Sequence, residues 1–298
     1  MLRFLPGPLK GTLIIILVLL NTLVWMPVLV IGALLKLALP VPLLQKITTK
    51  LSIACATNWV SINSGLFWMF NKIEWQVEGV ESLKRNDWYL VNSNHQSWAD
   101  IPIVQKILNR KIPMLKFFLK QELIWVPVLG LCWWALDFPF MKRHSPAEIK
   151  KNPALAGKDL ETTRKACERF KTTPVSVFNF LEGTRFTAEK HQKQESPFEN
   201  LLKPKAGGAA FVLGSMGEQM NTMLDITIIY PENNNSAWNF ICGRIPKVMV
   251  KVEEIHIPAE FLGKDYANDA KFKTEFQAWI NDLWLRKDAL IKDMRTRF

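Results

Sequence analysis

Trp88-Tyr89-Leu90-Val91-Asn92-Ser93-Asn94-His95-Gln96-Ser97-Trp98-Ala99-Asp100-Ile101-Pro102-Ile103-Val104-Gln105-Lys106-Ile107-Leu108 changes character midway, and that change sets the fold. Residues 88–91 are an unbroken apolar run of the length of a short buried strand. The polar stretch Asn92 to Gln96 follows as a connection. From Ile101 to Leu108 the composition is that of a helix, with Asp100 at the N-cap. Pro102 lies in the first turn, where a missing N–H costs nothing. Strand, polar connection and helix in this order make a β–α unit.

The same alternation recurs after Lys72. Ala154 to Phe170 has helical composition, Val175 to Phe180 alternates as a strand, and Lys205 to Leu213 suggests a further helix. Met223 to Tyr230 is a β-rich run stopped by Pro231, and Ile245 to Ile257 is strand-like. Strands separated by helices imply an α/β fold with a mostly parallel sheet flanked by helices. No internal repeat stands out, and Asn233-Asn234-Asn235 reads as a turn. Phe272, Phe276, Trp279, Ile280, Leu283, Trp284, Leu290, Ile291 and Met294 recur at helical spacing, so the C-terminal segment is expected to pack as a helix against the domain.

The N-terminus differs. Leu13 to Leu35 carries no charge, and only Asn21 and Thr22 interrupt its apolar run. At 1.5 Å per residue that length crosses a hydrocarbon core of about 30 Å. Pro27 lies within it. Leu51 to Phe70 is also uncharged but holds Asn58, Ser61, Asn63 and Ser64, and is open to reading as the second arm of a hairpin dipping into one leaflet. Basic residues flank the first segment on both sides, so charge leaves its orientation open.

The 298 residues carry 38 basic and 27 acidic side chains, a net charge of +11. No acidic residue precedes Glu74, whereas Arg3, Lys10, Lys36, Lys46, Lys50 and Lys72 do. A basic collar beside an apolar segment suits anionic headgroups. Nucleic acid would use the same charge, but no helix-turn-helix, zinc-finger or aromatic RNA-binding motif supports it. Cys55, Cys132, Cys167 and Cys242 are widely spaced, which argues against a metal site or disulfide framework.

Two polar connections carry candidate chemistry. His95 supplies an imidazole, the side chain suited to take a proton from an attacking hydroxyl. Asp100, five residues on, either orients that imidazole through its other nitrogen or only caps the helix. After the strand ending at Phe180 come Leu181-Glu182-Gly183-Thr184-Arg185. Gly183 permits a tight turn, Thr184 offers a hydroxyl, and Arg185 offers a planar fork suited to phosphate. Glu182 either orients Arg185 or meets the hydroxyls of a bound acceptor. The chain has no Gly-x-Ser-x-Gly nucleophile motif.

His95 with Asp100 resembles the His-x4-Asp motif of the glycerolipid acyltransferase family, and Glu182-Gly183-Thr184-Arg185 resembles its Glu-Gly-Thr-Arg motif. Between them, Lys120-Gln121-Glu122-Leu123 through Pro127 and Gly130, then Phe140-Met141-Lys142-Arg143, is similar to the family's middle block. Arg185-Phe186-Thr187, Lys190-His191 and Leu202-Lys203-Pro204-Lys205 resemble most closely the lysophosphatidic acid and lysocardiolipin acyltransferase branch. The resemblance covers residues 85–232. Leu181 departs from it, standing where the family usually has proline.

The apolar N-terminal stretches predict a membrane anchor over residues 1–70, and the resemblance implies an acyltransferase catalytic domain within residues 71–298, which also carry the expected C-terminal helix. His95 would be the general base and Asp100 its partner. Glu182 and Arg185 would bind the acceptor, with Arg185 on its phosphate and Gly183 and Thr184 shaping that site. Lys142 and Arg143 would contact phosphate or carrier. The acceptor hydroxyl would attack the thioester of acyl-CoA or acyl-carrier protein directly, with no metal and no cofactor. The expected partners are a phospholipid membrane and a lysophospholipid, not nucleic acid. The expected location is a bacterial inner membrane with the catalytic domain facing the cytoplasm. Leu123 to Phe140 is a candidate acyl-chain wall in part and ordinary core for the rest. Lys203, Lys205 and Lys247 are candidate rim cations; His144, His191 and His256 have no assigned role.

Overall fold

A computed structural model of the chain describes residues 2–39, 41–141, 161, 164–168, 170–230, 235–266 and 268–297. Helices α1 (Gly7–Ala38) and α2 (Pro42–Phe70) come first, followed by strand β1 (Glu74–Glu78). The β–α unit read from the sequence is strand β2 (Tyr89–Ser93) and helix α3 (Asp100–Leu108). Strands β3 (Leu115–Phe117) and β4 (Leu119–Lys120), helix α4 (Leu129–Ala135) and strand β5 (Phe140–Met141) follow. Beyond them lie β6 (Ser176–Phe180), α5 (Ala188–Gln194), α6 (Gly207–Met216), β7 (Thr222–Ile229), α7 (Ala237–Ile241), β8 (Lys247–His256) and α8 (Ala270–Thr296). The helix expected over 154–170 falls mainly outside the described residues, as do Asn233 and Asn234.

Six strands form one sheet in the order β1-β8-β7-β2-β6-β3. Every neighbouring pair is parallel except β7 with β8. β2 is central: Tyr89–Ser93 pair with Ser176–Phe180 on one side and with residues 222–226 on the other. All five of its residues are buried; Tyr89 to Val91 form the apolar part, and the strand runs on through Asn92 and Ser93, which the sequence assigns to the connection, because both are enclosed between neighbouring strands. Successive side chains alternate between two cores. Tyr89, Val91, Phe178 and Leu224 meet α3 through Ile103, Val104 and Ile107. Leu90, Val177 and Met223 meet α6 and α8 on the other face. The result is a helix–sheet–helix sandwich.

Helix α8 buries Phe272, Phe276, Ile280, Leu283, Trp284, Ile291 and Met294, matching the spacing in the sequence. The Asp269 side chain caps it by accepting the Phe272 N–H at 2.9 Å. On this buried face lies Lys287, whose ammonium meets Asp225 Oδ1 at 3.0 Å and donates to the Ile226 carbonyl at 2.6 Å and to Thr227 Oγ1 at 3.2 Å. Burial pushes the Asp225 carboxyl up, and Lys287 opposes that rise.

The N-terminal helices form a hairpin, and α2 begins earlier than its uncharged stretch indicates. Among the described residues α1 alone is long and apolar enough to cross a membrane. The polar residues that mark α2 each have a structural partner. Asn63 Oδ1 accepts from Asn21 Nδ2 at 2.8 Å, and Trp59 Nε1 donates to Thr22 Oγ1 at 3.0 Å, tying α2 to α1. Ser61 Oγ accepts from Asn109 Nδ2 at 2.9 Å, and Asn58 Oδ1 accepts from Arg110 at 2.7 Å, tying α2 to the end of α3. Lys36 on α1 pairs with Asp137 just after α4 at 2.6 Å. Away from these contacts Leu19, Leu20, Val24, Ile31 and Leu34 of α1 are exposed.

Candidate active site

The carboxyl ends of β2, β6 and β7 converge at one edge of the sheet, the place where open α/β sheets collect ligands. β2 ends in Ser93, and Asn94 then continues its ladder by side chain. The Asn94 amide donates to the Ile228 carbonyl at 2.9 Å and accepts the Ile228 N–H at 2.8 Å. The turn that follows is closed by Asp100. Its Oδ2 accepts the backbone N–H of Gln96 at 2.7 Å and of Ser97 at 2.9 Å, and lies 2.9 Å from His95 Nδ1. Its Oδ1 accepts the Tyr230 hydroxyl at 2.6 Å.

Asp100 is therefore not the N-cap anticipated from the sequence. Ala99 holds that position without a side-chain bond, and Asp100 is the first helical residue with its carboxylate turned back over the turn. The physical reason is that a turn of this tightness leaves two N–H groups to satisfy, and Asp100 Oδ2 reaches both. The carboxylate also selects the His95 tautomer with the proton on Nδ1, leaving Nε2 as the basic atom. The imidazole lies flat on Phe180, with ring centroids 3.7 Å apart and planes 12° from parallel. His95 is fixed on one ring face and one edge, and among the described residues no side chain bonds to Nε2.

The Glu182–Arg185 turn packs against the same histidine. Glu182 Oε1 accepts the His95 N–H at 2.7 Å, and its Oε2 accepts the Leu202 N–H at 2.9 Å. The Phe186 N–H donates to the His95 carbonyl at 2.7 Å. The two connections read separately from the sequence are thus one backbone-bonded unit. Glu182 is 1% exposed. Burial pushes its carboxyl up to about 7, against the lowering effect of the two N–H bonds and of Lys287. Glu182 lies beneath His95 with each oxygen accepting a backbone N–H, and among the described residues it makes no ion pair with Arg185.

Gly183 sits at φ +66°, in the left-handed region, and a Cβ there would stand 3.3 Å from the Lys205 side chain. Thr184 Oγ1 accepts from Lys190 at 2.8 Å. Arg185 is exposed, its guanidinium 4.9 Å from the Trp98 ring, and among the described residues no carboxylate pairs with it. Lys142 and Arg143, and His144 beside them, lie outside the described residues. His191 bonds the Phe198 carbonyl at 2.6 Å and is structural; Lys247 pairs with Glu74 at 3.3 Å. His256, at the end of β8, is exposed. Among the described residues no three His, Cys, Asp or Glu side chains form a metal-holding group.

Two cavities adjoin these elements. A polar one of about 300 Å³ is lined by Gln96, Phe186, Glu199, Asn200, Tyr230 and Arg295, beside the turn that carries His95. An apolar one of about 350 Å³ lies between the helical hairpin, the far end of α3 and α4. Leu129, Cys132, Trp133, Leu136 and Phe138 contribute to its wall, so part of the Leu123–Phe140 stretch is cavity lining and part is core. It touches α3 at Leu108, eight residues from Asp100, which is about 12 Å along a helix. Tyr230, Phe180 and Trp98 escaped the sequence reading. Tyr230 had one signal, its place at the carboxyl end of an expected strand.

Comparison with known proteins follows the same elements. Residues 74–230, more than half of the chain, match the family model described as Acyltransferase. A 2-acyl-1-lysophosphatidylinositol acyltransferase of Saccharomyces cerevisiae is 27% identical over 215 residues, covering 58% of this chain and 52% of the relative. A human 1-acyl-sn-glycerol-3-phosphate acyltransferase delta is 24% identical over 185 residues, covering 58% of this chain and 44% of the relative. The chain thus spans about half the length of the curated relatives it matches. The crystal structure of a 1-acyl-sn-glycerophosphate (LPA) acyltransferase, PlsC, from Thermotoga maritima shares the fold at TM-score 0.51 and 15% identity, over 92% of this chain and 98% of that one. With a matched segment that contains both motif turns and the strands that join them, the chain belongs to the acyltransferase family.

Proposed function

We propose that the protein transfers a fatty acyl group from a thioester carrier, acyl-CoA or acyl-carrier protein, to the sn-2 hydroxyl of 1-acyl-glycerol 3-phosphate, giving phosphatidic acid. The observation that carries this reading is the His95–Asp100 pair, with the carboxylate 2.9 Å from Nδ1 and Nε2 left for the acceptor hydroxyl. His95 takes the hydroxyl proton as the oxygen attacks the thioester carbonyl, and Asp100 stabilises the imidazolium that forms. The tetrahedral intermediate then expels the carrier thiolate, which receives the proton from His95. No acyl-enzyme is required, and the chemistry calls on no metal or prosthetic group. Arg185, exposed beside Trp98, binds the acceptor phosphate, while Gly183 and Thr184 shape the turn that presents it. Lys142 and Arg143 are assigned to phosphate or carrier contact on the family resemblance.

Residues 1–70 attach the protein to a membrane and residues 71–298 form the catalytic domain. The exposed apolar side of α1 supports this division. We place the protein at a bacterial inner membrane with this domain on the cytoplasmic side, where thioester carriers are found. The apolar cavity beside α1 and α4 is the compartment we assign to an acyl chain.

A second reading, acylation of a lysophospholipid bearing a headgroup on its phosphate, such as lysophosphatidylglycerol or lysocardiolipin, is favoured by one feature. The polar cavity lined by Gln96, Glu199, Asn200 and Arg295 is placed to take hydroxyl-bearing groups. The test is transfer from long-chain acyl-CoA, and from acyl-carrier protein, to a panel of lysophospholipids by the detergent-purified protein and its His95→Ala form. Transfer by the wild type and none by the variant is expected, and the preferred acceptor separates the two readings. Equal activity in both proteins would remove His95 as the base.

A further inference from the structure

We propose that Tyr230 is a positioning residue of the His95–Asp100 pair, its hydroxyl fixing the carboxylate through the oxygen that the imidazole does not use. The inference rests on the acyl-transfer reading of that pair.

The case begins with the carboxylate. Asp100 Oδ2 already receives three N–H groups, from His95, Gln96 and Ser97. These converge on one oxygen and leave the other to find its own donor. Among the described residues Oδ1 is held by the Tyr230 hydroxyl alone, at 2.6 Å. Asp100 is fully buried and Tyr230 is 5% exposed, so bulk water does not supply a substitute donor without rearrangement. An O–H donor to an ionised acceptor in such surroundings is among the stronger hydrogen bonds a protein makes.

The fold also goes to some length to bring Tyr230 there. It stands just beyond β7, two residues after Ile228, so the two share one face of the extended chain. Ile228 is clamped to the end of β2 by both ends of the Asn94 amide. Two residues before it, the Ile226 carbonyl is held by Lys287 from α8. The strand that delivers Tyr230 is therefore pinned from the catalytic turn on one side and from the C-terminal helix on the other. When His95 gains a proton, the Nδ1–H···Oδ2 bond must keep its geometry as its charge rises, and Asp100 must stay ionised to match it. The Tyr230 hydroxyl satisfies the second oxygen of that buried carboxylate and holds it in place, so it acts on turnover through Asp100 without touching substrate.

The test is a double-mutant cycle on the full-length protein in detergent, with Tyr230→Phe and Asp100→Asn. Tyr230→Phe keeps the ring and its packing. It is expected to lower kcat about tenfold, the size of one hydrogen bond to a charged group, with KM for donor and acceptor unchanged. In the Asp100→Asn background, which itself turns over slowly, the same change should cost less than about twofold, because residues that act as a unit are not additive. A tyrosine that only fills space would subtract the same factor in both backgrounds, and that result would overturn the proposal. So would a Tyr230→Phe enzyme with wild-type kcat. A readout independent of turnover is the His95 Nδ1–H proton resonance, identified by its loss in His95→Gln, which should move and broaden in Tyr230→Phe. If the wild type transferred no acyl group at all, the acyl-transfer reading would fall, and an unmoved proton resonance would then be the result that overturns Tyr230.

Discussion

Glu182 offers a sharp test of the energetics beneath the site. Its carboxylate is buried under His95, with only backbone N–H groups on its oxygens. Burial raises its pKa from 4.5 to about 7. The folded protein consequently holds this proton more tightly than the unfolded chain does. Stability from this group is highest below pH 4.5, falls as pH climbs towards 7, and levels off above it. At 1.36 kcal/mol per unit of pKa, the full difference is about 3 kcal/mol, most of it crossed between pH 5 and pH 8. Glu182→Gln has no proton to lose. It will be less stable at acid pH, because its NH2 group must face one of the two N–H donors. The informative quantity is the gap between variant and wild type. That gap should move in the variant's favour by about 2–3 kcal/mol from pH 5 to pH 8, or about 5 °C in Tm for a chain of this size. Tryptophan fluorescence in detergent reads the transition, since Trp284 is wholly buried. A gap that stays constant across that range would show that Glu182 does not change its protonation on folding, and the burial argument would be wrong.

Arg185→Lys should raise the acceptor KM about tenfold while leaving kcat within a small factor, because an ammonium replaces a bidentate fork with a point charge. Steady-state kinetics with varied acceptor check this, and an unchanged KM would remove Arg185 from the phosphate site. Lys287→Met strands Asp225 without its ammonium partner on the buried face of α8 and should cost about 3–5 kcal/mol in chemical unfolding. The loss should shrink as pH falls and the Asp225 carboxyl, already raised by burial, takes up a proton; a loss independent of pH would speak against the pair.

How far the sequence reached depended on how local the determining physics was. The β–α unit at 88–108 was legible because a buried parallel strand is an apolar run and an amphipathic helix has its own period. The apolar stripe of α8 and the 23-residue uncharged stretch of α1 (Leu13 to Leu35) were legible for the same reason. His95, Asp100, Glu182 and Arg185 stood out as polar residues in connections after strands, and the family motifs tied them together. Three things were not local. Asp100 reads as a helix cap until the tightness of the turn is seen, because a carboxylate can satisfy N–H groups on either side of it. Glu182 reads as a ligand contact because its burial depends on Leu202 and His95, separated from it by 20 and 87 residues. Tyr230 reads as the last residue of an apolar strand. Its hydroxyl finds Asp100 only because β7 lies beside β2, an adjacency set by strand order across 130 residues of chain. Composition and period thus determined which segments are strands, helices and the apolar N-terminal stretch. Which polar atoms meet was decided by the order of strands in the sheet, since hydrogen bonds need a partner within about 3 Å and only the assembled fold supplies that distance.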